Sequence, residues 1–212
     1  MKIAIIGASG FIGSGLLDEA QSRGHEVTAL VRHPDKVSDR VGVSPVAVNV
    51  LDQAALASSL RDHDAVISAF SGHAQDDVYD HYVQGIQSII AAAKHADVPR
   101  LLVVGGAGSL QTDDGVELLD TPAFPEMYKA TAEGARTALR LLREEPTLNW
   151  TMLSPSAEIF PGERTGEFRL ADDRLIVDDA GRSSISVADY AVAMLDEVER
   201  PAYPKRRFTV GY

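Results

Sequence analysis

The sequence predicts an α/β fold, a doubly wound parallel sheet with helices on both faces, formed by a single domain over residues 1–212. Three observations carry this. Short β-branched runs alternate with longer stretches of helical periodicity. Several of the short runs are continuously apolar, as strands covered on both faces are. A glycine-rich turn joins the first strand to the first helix.

In chain order, strands are expected at Lys2–Ile6, Glu26–Val31, Val46–Asn49, Ala65–Ala69, Arg100–Val104 and Thr151–Ser154, with Arg207–Val210 as a further edge strand. The first helix, Phe11–Arg23, carries Ile12, Leu16, Leu17 and Ala20 on one side and stops before Gly24, a residue suited to the position after a helix. Asp52 caps a second helix over Gln53–Arg61. Tyr79–His95 presents Val83, Ile86, Ile90 and Ala93 at helical spacing, and Lys129–Glu144 and Val187–Glu199 follow, the last introduced by Ser186. Strand order 3-2-1-4-5-6 suits this alternation. Two long connections, Gly105–Tyr128 and Pro155–Ser186, leave strands at their carboxyl ends, where open α/β sheets bind ligands. The second is expected to form a substrate-side lobe over residues 155–186, with Phe168–Leu170 and Leu175–Val177 as a small hairpin capping the site.

Composition narrows the classes. Of 212 residues, 45% are hydrophobic, enough for a real core. A net charge of −11 sets nucleic-acid binding far back, because such proteins present a basic face. The absence of cysteine removes disulfides, thiolate metal sites and cysteine nucleophiles, and points to a reducing, cytoplasmic setting. No apolar run approaches a membrane span or a signal-peptide core.

The opening Gly7-Ala8-Ser9-Gly10-Phe11-Ile12-Gly13 follows a strand and opens a helix, the context a dinucleotide fingerprint requires. Gly7 lets the chain turn out of the strand. Gly10 removes a Cβ where backbone must approach a pyrophosphate, and Gly13 lets helix and strand pack closely. The N–H groups of the first helical turn, at Phe11 and Ile12 onward, then face the phosphates. A phosphate-binding loop of the nucleotide-hydrolase kind fails, since Leu16 stands where a lysine must follow Gly15. At the end of the second strand, an NAD site places an acid to hold the ribose 2′-hydroxyl. Here Val31 is followed by Arg32 and His33, with Lys36 a turn later, which suits a 2′-phosphate. NADP is therefore expected over NAD, although Asp35 weakens the basic patch.

With these residues in hand, the chain resembles the atypical short-chain dehydrogenase/reductases, and within them the NmrA-like, NAD(P)-binding branch that carries the name NADH-flavin reductase. The resemblance runs end to end. It rests on the glycine loop, on Ser68-Ala69-Phe70, on Leu102-Val103-Val104-Gly105-Gly106-Ala107-Gly108-Ser109, and on Pro122-Ala123-Phe124-Pro125-Glu126. Leu153-Ser154-Pro155, Pro161-Gly162-Glu163-Arg164-Thr165-Gly166 and Ile185-Ser186-Val187-Ala188-Asp189-Tyr190-Ala191 complete it. It implies a Rossmann fold. It also implies cofactor contacts for Gly7, Ser9, Gly10, Phe11, Ile12 and Gly13, with Asp52 near the adenine and Ser68, Ala69 and Phe70 near the adenosine ribose and phosphates. Gly105 and Gly106 are implied beside the nicotinamide, with Pro155 and Ser156 along its face.

Typical members of the superfamily use a serine after the fifth strand and a Tyr-x-x-x-Lys pair as proton donor and ribose anchor. This chain has no Tyr-x-x-x-Lys: Val83, Ile86 and Ala132 stand four residues after Tyr79, Tyr82 and Tyr128. If Lys129 is the family lysine, both catalytic and cofactor-binding, the tyrosine position falls on Pro125 and the serine position on Gly105 or Gly106, with Ser109 nearby. Reducing an isolated carbonyl without a general acid forfeits roughly 10²–10⁴ in rate. A flavin or quinone-like ring spreads the incoming charge and takes its proton from water, so positioning does most of the work. The expected function is NAD(P)H-dependent reduction of such an acceptor, with flavin as a substrate that is not tightly bound. An NAD(P)-sensing regulatory role is the alternative, and an epimerase or dehydratase-like role comes third. Partners are a small-molecule acceptor and, as monomer or homodimer, at most a second copy, with neither nucleic acid nor membrane.

Three further features stay open or are set aside. His73, Asp76, Asp77, Asp80 and His81 suit a helix N-terminus better than a metal, so no metal is expected. Glu158, Glu163 and Arg164 either touch substrate or hold their loop to the body. No Gly-x-Ser-x-Gly elbow supports a hydrolase.

Overall fold

The structure, a computed structural model, describes residues 1–72 and 77–212. Its order opens with β1 (Lys2–Ile6), α1 (Phe11–Ser22), β2 (Glu26–Val31), β3 (Val43–Ala47), α2 (Gln53–Leu60), β4 (Ala65–Ser68) and α3 (Val78–His95). It continues with β5 (Leu101–Val104), α4 (Lys129–Glu144), β6 (Trp150–Ser154), β7 (Glu158–Phe160), β8 (Arg169–Ala171), β9 (Ser184–Ser186), α5 (Val187–Glu199) and β10 (Arg206–Gly211). The principal sheet runs β3-β2-β1-β4-β5-β6-β10-β8 and is parallel except where β8 meets β10. The expected 3-2-1-4-5-6 order is present, and the chain is a Rossmann-type α/β protein.

The apolar runs are buried on both faces, as parallel strands demand. Along β1, Ile3 and Ile5 join one core with Leu16, Leu17 and Ala20 of α1 and Tyr190, Ala191 and Met194 of α5. Ala4 and Ile6 join the other core, with Leu56 of α2, Ile86 and Ile89 of α3 and Leu139 of α4. Each helix is bounded where its sequence predicts. Asp52 and Ser186 accept from the N–H groups of Ala55 and Asp189, and Gly24 takes a positive φ after α1.

Three expectations shift. β3 starts at Val43, three residues earlier than its apolar end suggests, and pairs Val43–Ala47 with Val27–Val31. Pro45 lies inside it, which the edge position tolerates because one side of the strand needs no N–H donors. β10 is internal rather than an edge strand: Phe208 pairs with Leu153 on one side and Val210 with Leu170 on the other. The hairpin of Phe168–Leu170 with Leu175–Val177 does not form. β8 satisfies the open flank of β10, while the Leu175 N–H donates to the carbonyl of Gln111 at 2.8 Å, tying the two long connections together. The small second sheet pairs β7 with β9 in parallel.

Candidate functional site

A cleft of about 560 Å³ opens at the carboxyl ends of β1 to β4. Its floor is the glycine loop, with Ile6, Gly7, Ser9 and Gly10. Arg32, His33 and Lys36 stand on one wall, residues 47–51 on another, and Ala69, Phe70, Ser71 and His81 close the side toward α3. Among the described residues that line it there is no carboxylate, and none of Arg32, His33, Lys36 and His81 forms an ion pair.

The glycines have separable reasons. Gly7 turns at φ 78°, and a Cβ there would stand 2.8 Å from the Ala69 carbonyl oxygen. A Cβ on Gly13 would meet the Gly7 oxygen at 2.0 Å, so the close packing of α1 on the loop requires glycine. At Gly10 the nearest protein atom to such a Cβ is the Gly7 oxygen at 3.3 Å, and φ is an ordinary −80°. Packing within the chain presses least on Gly10, which faces the cleft. α1 has no side-chain cap, and its first helical hydrogen bond runs from Ser14 N–H to the Gly10 carbonyl at 2.8 Å. The amides of Phe11, Ile12 and Gly13 therefore have no partner one turn back.

Of the residues singled out in the sequence, Gly7, Ser9, Gly10, Arg32, Ala69 and Phe70 come together in this cleft. Phe11, Ile12 and Gly13 form the adjoining first turn of α1, with Phe11 54% exposed. Ser68 is buried beneath it and accepts from the Phe70 N–H at 3.4 Å. Phe70 is held from behind by Gly85, where any Cβ would strike its ring, and its ring lies 5.4 Å from that of His81. Asp52 follows the lining residue Leu51, and its carboxylate is engaged in capping α2.

The remaining candidates lie elsewhere. Gly105 and Gly106 are half-buried at the end of β5, against Met152 and Ala135. Pro155 and Ser156 are buried after β6, and the Ser156 hydroxyl donates to the Val210 carbonyl at 2.9 Å. Lys129 is exposed at the start of α4, paired with Glu126 at 2.6 Å, beside Tyr79 and Glu133 rather than in the main cleft. Tyr128, also exposed, precedes it. Ser109 is buried, and its hydroxyl accepts from Arg207 at 3.2 Å, turned into the body of the protein. Burial pushes the Arg207 guanidinium down despite its bond to Asp173. Tyr82 is fully buried with its hydroxyl toward the Val104 carbonyl, and burial pushes its pKa up to about 12.

The two readings of the post-β6 loop now separate for Arg164. Its guanidinium makes two bonds to the buried Glu19 of α1, at 2.9 and 3.0 Å, which hold that carboxyl below its usual range. The neighbouring Thr165 and Gly166 bind Asp189. Arg164 fastens the loop to the body.

Sequence reasoning missed Val48, Asn49, Val50 and Leu51 as lining residues, because it placed the first two inside β3. Their position just beyond the last residue paired with β2 was the available signal. His81 was weighed as a metal ligand and, with its segment, as part of a helix N-terminus bordering the substrate cleft. It lines the present cleft, and residues 73–76 of that cluster lie outside the described ones. Among the described residues, no group of His, Asp and Glu is arranged to hold a metal, and no helix is long and apolar enough to cross a membrane.

Comparison with known proteins gives a consistent answer. Residues 7–198 match the NAD(P)H-binding family. The chain is 44% identical to the uncharacterized protein YwnB of Bacillus subtilis, over 99% of this chain and 98% of that one. Among solved structures it superposes on a "putative epimerase" from Bacteroides thetaiotaomicron with a TM-score of 0.93 and 43% identity, covering 100% of this chain and 96% of that one. A "putative NADH-flavin reductase" from Streptococcus pneumoniae follows at 0.89 and 37%, covering 100% and 99%.

Proposed function

Because the chain belongs to the NAD(P)H-binding family, we propose that it is a reductase that passes hydride from NADPH to a flavin or quinone-like acceptor. The observation that carries the cofactor preference is the wall of Arg32, His33 and Lys36 in a cleft whose described lining has no carboxylate. An NAD site needs an acid there, whereas a 2′-phosphate needs cations. The resemblance to the atypical short-chain dehydrogenase/reductases, drawn above from motifs, agrees with that membership and with the Streptococcus relative.

The residues present fit a dinucleotide. Gly10 lines the cleft without a side chain, so a ligand can approach its backbone closely. In this reading Gly7, Ser9 and Gly10 and the first-turn amides of Phe11, Ile12 and Gly13 hold the pyrophosphate. Arg32 holds the 2′-phosphate, and residues 48–52 with Ser68, Ala69 and Phe70 surround the adenosine. Gly105, Gly106, Pro155 and Ser156 bound the nicotinamide end through main chain, since the Ser156 hydroxyl is committed to Val210. Lys129 would reach the ribose only after leaving Glu126.

When bound, a reduced nicotinamide supplies a hydride, and a proton from water completes the two-electron reduction of the acceptor. Pro125 at the tyrosine position offers no proton, and Ser109 and Tyr82 are turned inward. This favours an acceptor that needs no protein acid. An epimerase role, which the name of the Bacteroides relative would suggest, ordinarily draws on the tyrosine that is missing here.

The test is NADPH oxidation followed at its near-ultraviolet band with riboflavin, FMN and FAD as acceptors. Protein purified without added flavin should be colourless and should turn over only when flavin is supplied. Cofactor binding with turnover no faster than the enzyme-free control would replace this reading with the regulatory one.

A further inference from the structure

We propose that the acceptor taken by this site is uncharged, a neutral flavin or quinone ring, and that acceptors bearing phosphate or sulfonate are turned away. The proposal rests on the reductase reading above and deepens it. The cleft occupies the ends of β1 to β4, so the reacting end of the cofactor falls toward β5 and β6. The two long connections over residues 105–128 and 155–186 leave the sheet there. Together they contain twelve acidic residues, four arginines and neither lysine nor histidine.

All four arginines are already engaged. Arg164 binds Glu19, Arg174 binds Asp113 and Arg182 binds Asp178. Arg169 donates to the main-chain oxygens of Val177 and Tyr212. Cations of neighbouring elements that reach these connections are engaged as well: Arg136 on Glu117 and Asp120, Arg143 and Arg207 on Asp173, Arg206 on Asp172, and Lys129 on Glu126. Arg140, farther along α4, is exposed and makes no ion pair among the described residues. Five exposed acids of these connections, Asp114, Glu158, Glu163, Glu167 and Asp179, have no ion pair among the described residues. Within the two connections the uncommitted side-chain charge is wholly negative, while beside the cofactor cleft Arg32 and Lys36 are uncommitted, with Asp35 between them in sequence.

A second observation indicates what the side does attract. Phe11 at the first position of α1 and Met127 and Tyr128 just before α4 are large apolar side chains left 54%, 77% and 52% exposed. The two helices begin at the carboxyl edge of the sheet on its opposite faces, so aromatic and thioether side chains flank that edge from both sides, suited to a flat ring. A phosphomonoester carries nearly two negative charges at neutral pH and would meet these acids with no free cation of the connections to receive it. Repulsion of this kind lowers the local concentration of an anion and is removed by salt.

The experiment compares riboflavin with FMN, and 1,2-naphthoquinone with its 4-sulfonate, at low and high salt. It reads kcat/KM and, independently of turnover, binding to the NADP⁺-loaded protein by flavin fluorescence. Riboflavin should exceed FMN by about tenfold at low salt, with the gap closing as salt rises. The triple variant E158Q/E163Q/E167Q, which leaves every ion pair above in place, should raise FMN relative to riboflavin. FMN equal to or better than riboflavin at low salt, or a preference insensitive to salt, overturns the proposal while leaving the reductase reading intact. Binding of NADPH with neither flavin nor quinone bound or reduced overturns the reading and the proposal together.

Discussion

Replacing Arg32 with Asp should reverse the cofactor preference. Arg32 follows Val31, the last residue of β2, and lines the cleft with His33 and Lys36. It is exposed and spends its charge on no carboxylate of the protein. A charge-assisted hydrogen bond to a phosphate is worth about 1.5–3 kcal/mol when well shielded. Solvent at this open mouth reduces that to roughly 1–2 kcal/mol. The loss alone would weaken NADPH by about five- to thirtyfold. The new carboxylate adds repulsion toward the 2′-phosphate and, for NADH, supplies the acceptor that a ribose 2′-hydroxyl needs. His33 and Lys36 remain, which keeps the residual NADPH affinity above zero. Calorimetric titration of both proteins with NADPH and NADH yields the four affinities required. Equal affinities of the unaltered protein for the two cofactors would refute the reasoning at its root. A loss shared equally by both cofactors in the variant would show that Arg32 serves the common pyrophosphate instead.

Three further outcomes follow from the geometry. Gly13→Ala places a Cβ 2.0 Å from the Gly7 oxygen. It should cost roughly 1–3 kcal/mol, lower Tm by about 2–4 °C per kcal/mol, and weaken NADPH binding as the loop shifts. Asp189 is buried, which raises its pKa, but donors from Thr165, Gly166 and Tyr212 outweigh this and hold it below the usual carboxylate range. Its contribution is therefore present above the unfolded carboxylate pKa and lost as pH falls through the lower folded value. Asp189→Asn should cost roughly 1–3 kcal/mol near neutrality and flatten the acid limb of a Tm-versus-pH profile; an unchanged limb would refute it. Lys129→Met should weaken NADPH binding by about three- to tenfold if the lysine exchanges Glu126 for the ribose, whereas Tyr128→Phe should change little. If instead Tyr128→Phe abolishes turnover with affinity unchanged, Tyr128 is a proton donor and carbonyl reduction becomes the leading chemistry.

The sheet was legible because the parallel strands are buried on both faces. Runs such as Ile3–Ile6 and Ala65–Ile67 therefore carry an unbroken apolar signal, and caps such as Asp52 and Ser186 mark the helices between them. What the sequence hid was pairing at the two edges. β3 contains Pro45, and only its place at the end of the strand order makes that acceptable. β8 is three residues long and exists because β10 would otherwise present an open flank. Local pattern marked strands near both, at Val46–Asn49 and Phe168–Leu170, but not their bounds or partners, and the partner of β8 lies far along the chain in β10.

The site divides along the same line. Gly7, Gly10, Gly13 and Arg32 were legible because their chemistry acts through adjacent residues in one strand–turn–helix unit. The proton economy was not, because it depends on where side chains point. Ser109 is close in sequence to the place where a catalytic serine would stand, yet Arg207, 98 residues away in the chain, draws its hydroxyl inward. Tyr82 begins near enough to the end of β5 to bond the Val104 carbonyl, yet burial keeps it protonated far into the alkaline range. Tyr82 donates its proton to the Val104 carbonyl, and releasing it would strand that buried acceptor at a cost of about 1–3 kcal/mol, whereas Ser109 accepts from Arg207 and is kept from the cleft by its buried, inward position. An acceptor protonated by water avoids that cost. The commitment of these two hydroxyls, as much as the absence of Tyr-x-x-x-Lys, therefore directs the reading toward flavins and quinones and away from isolated carbonyls.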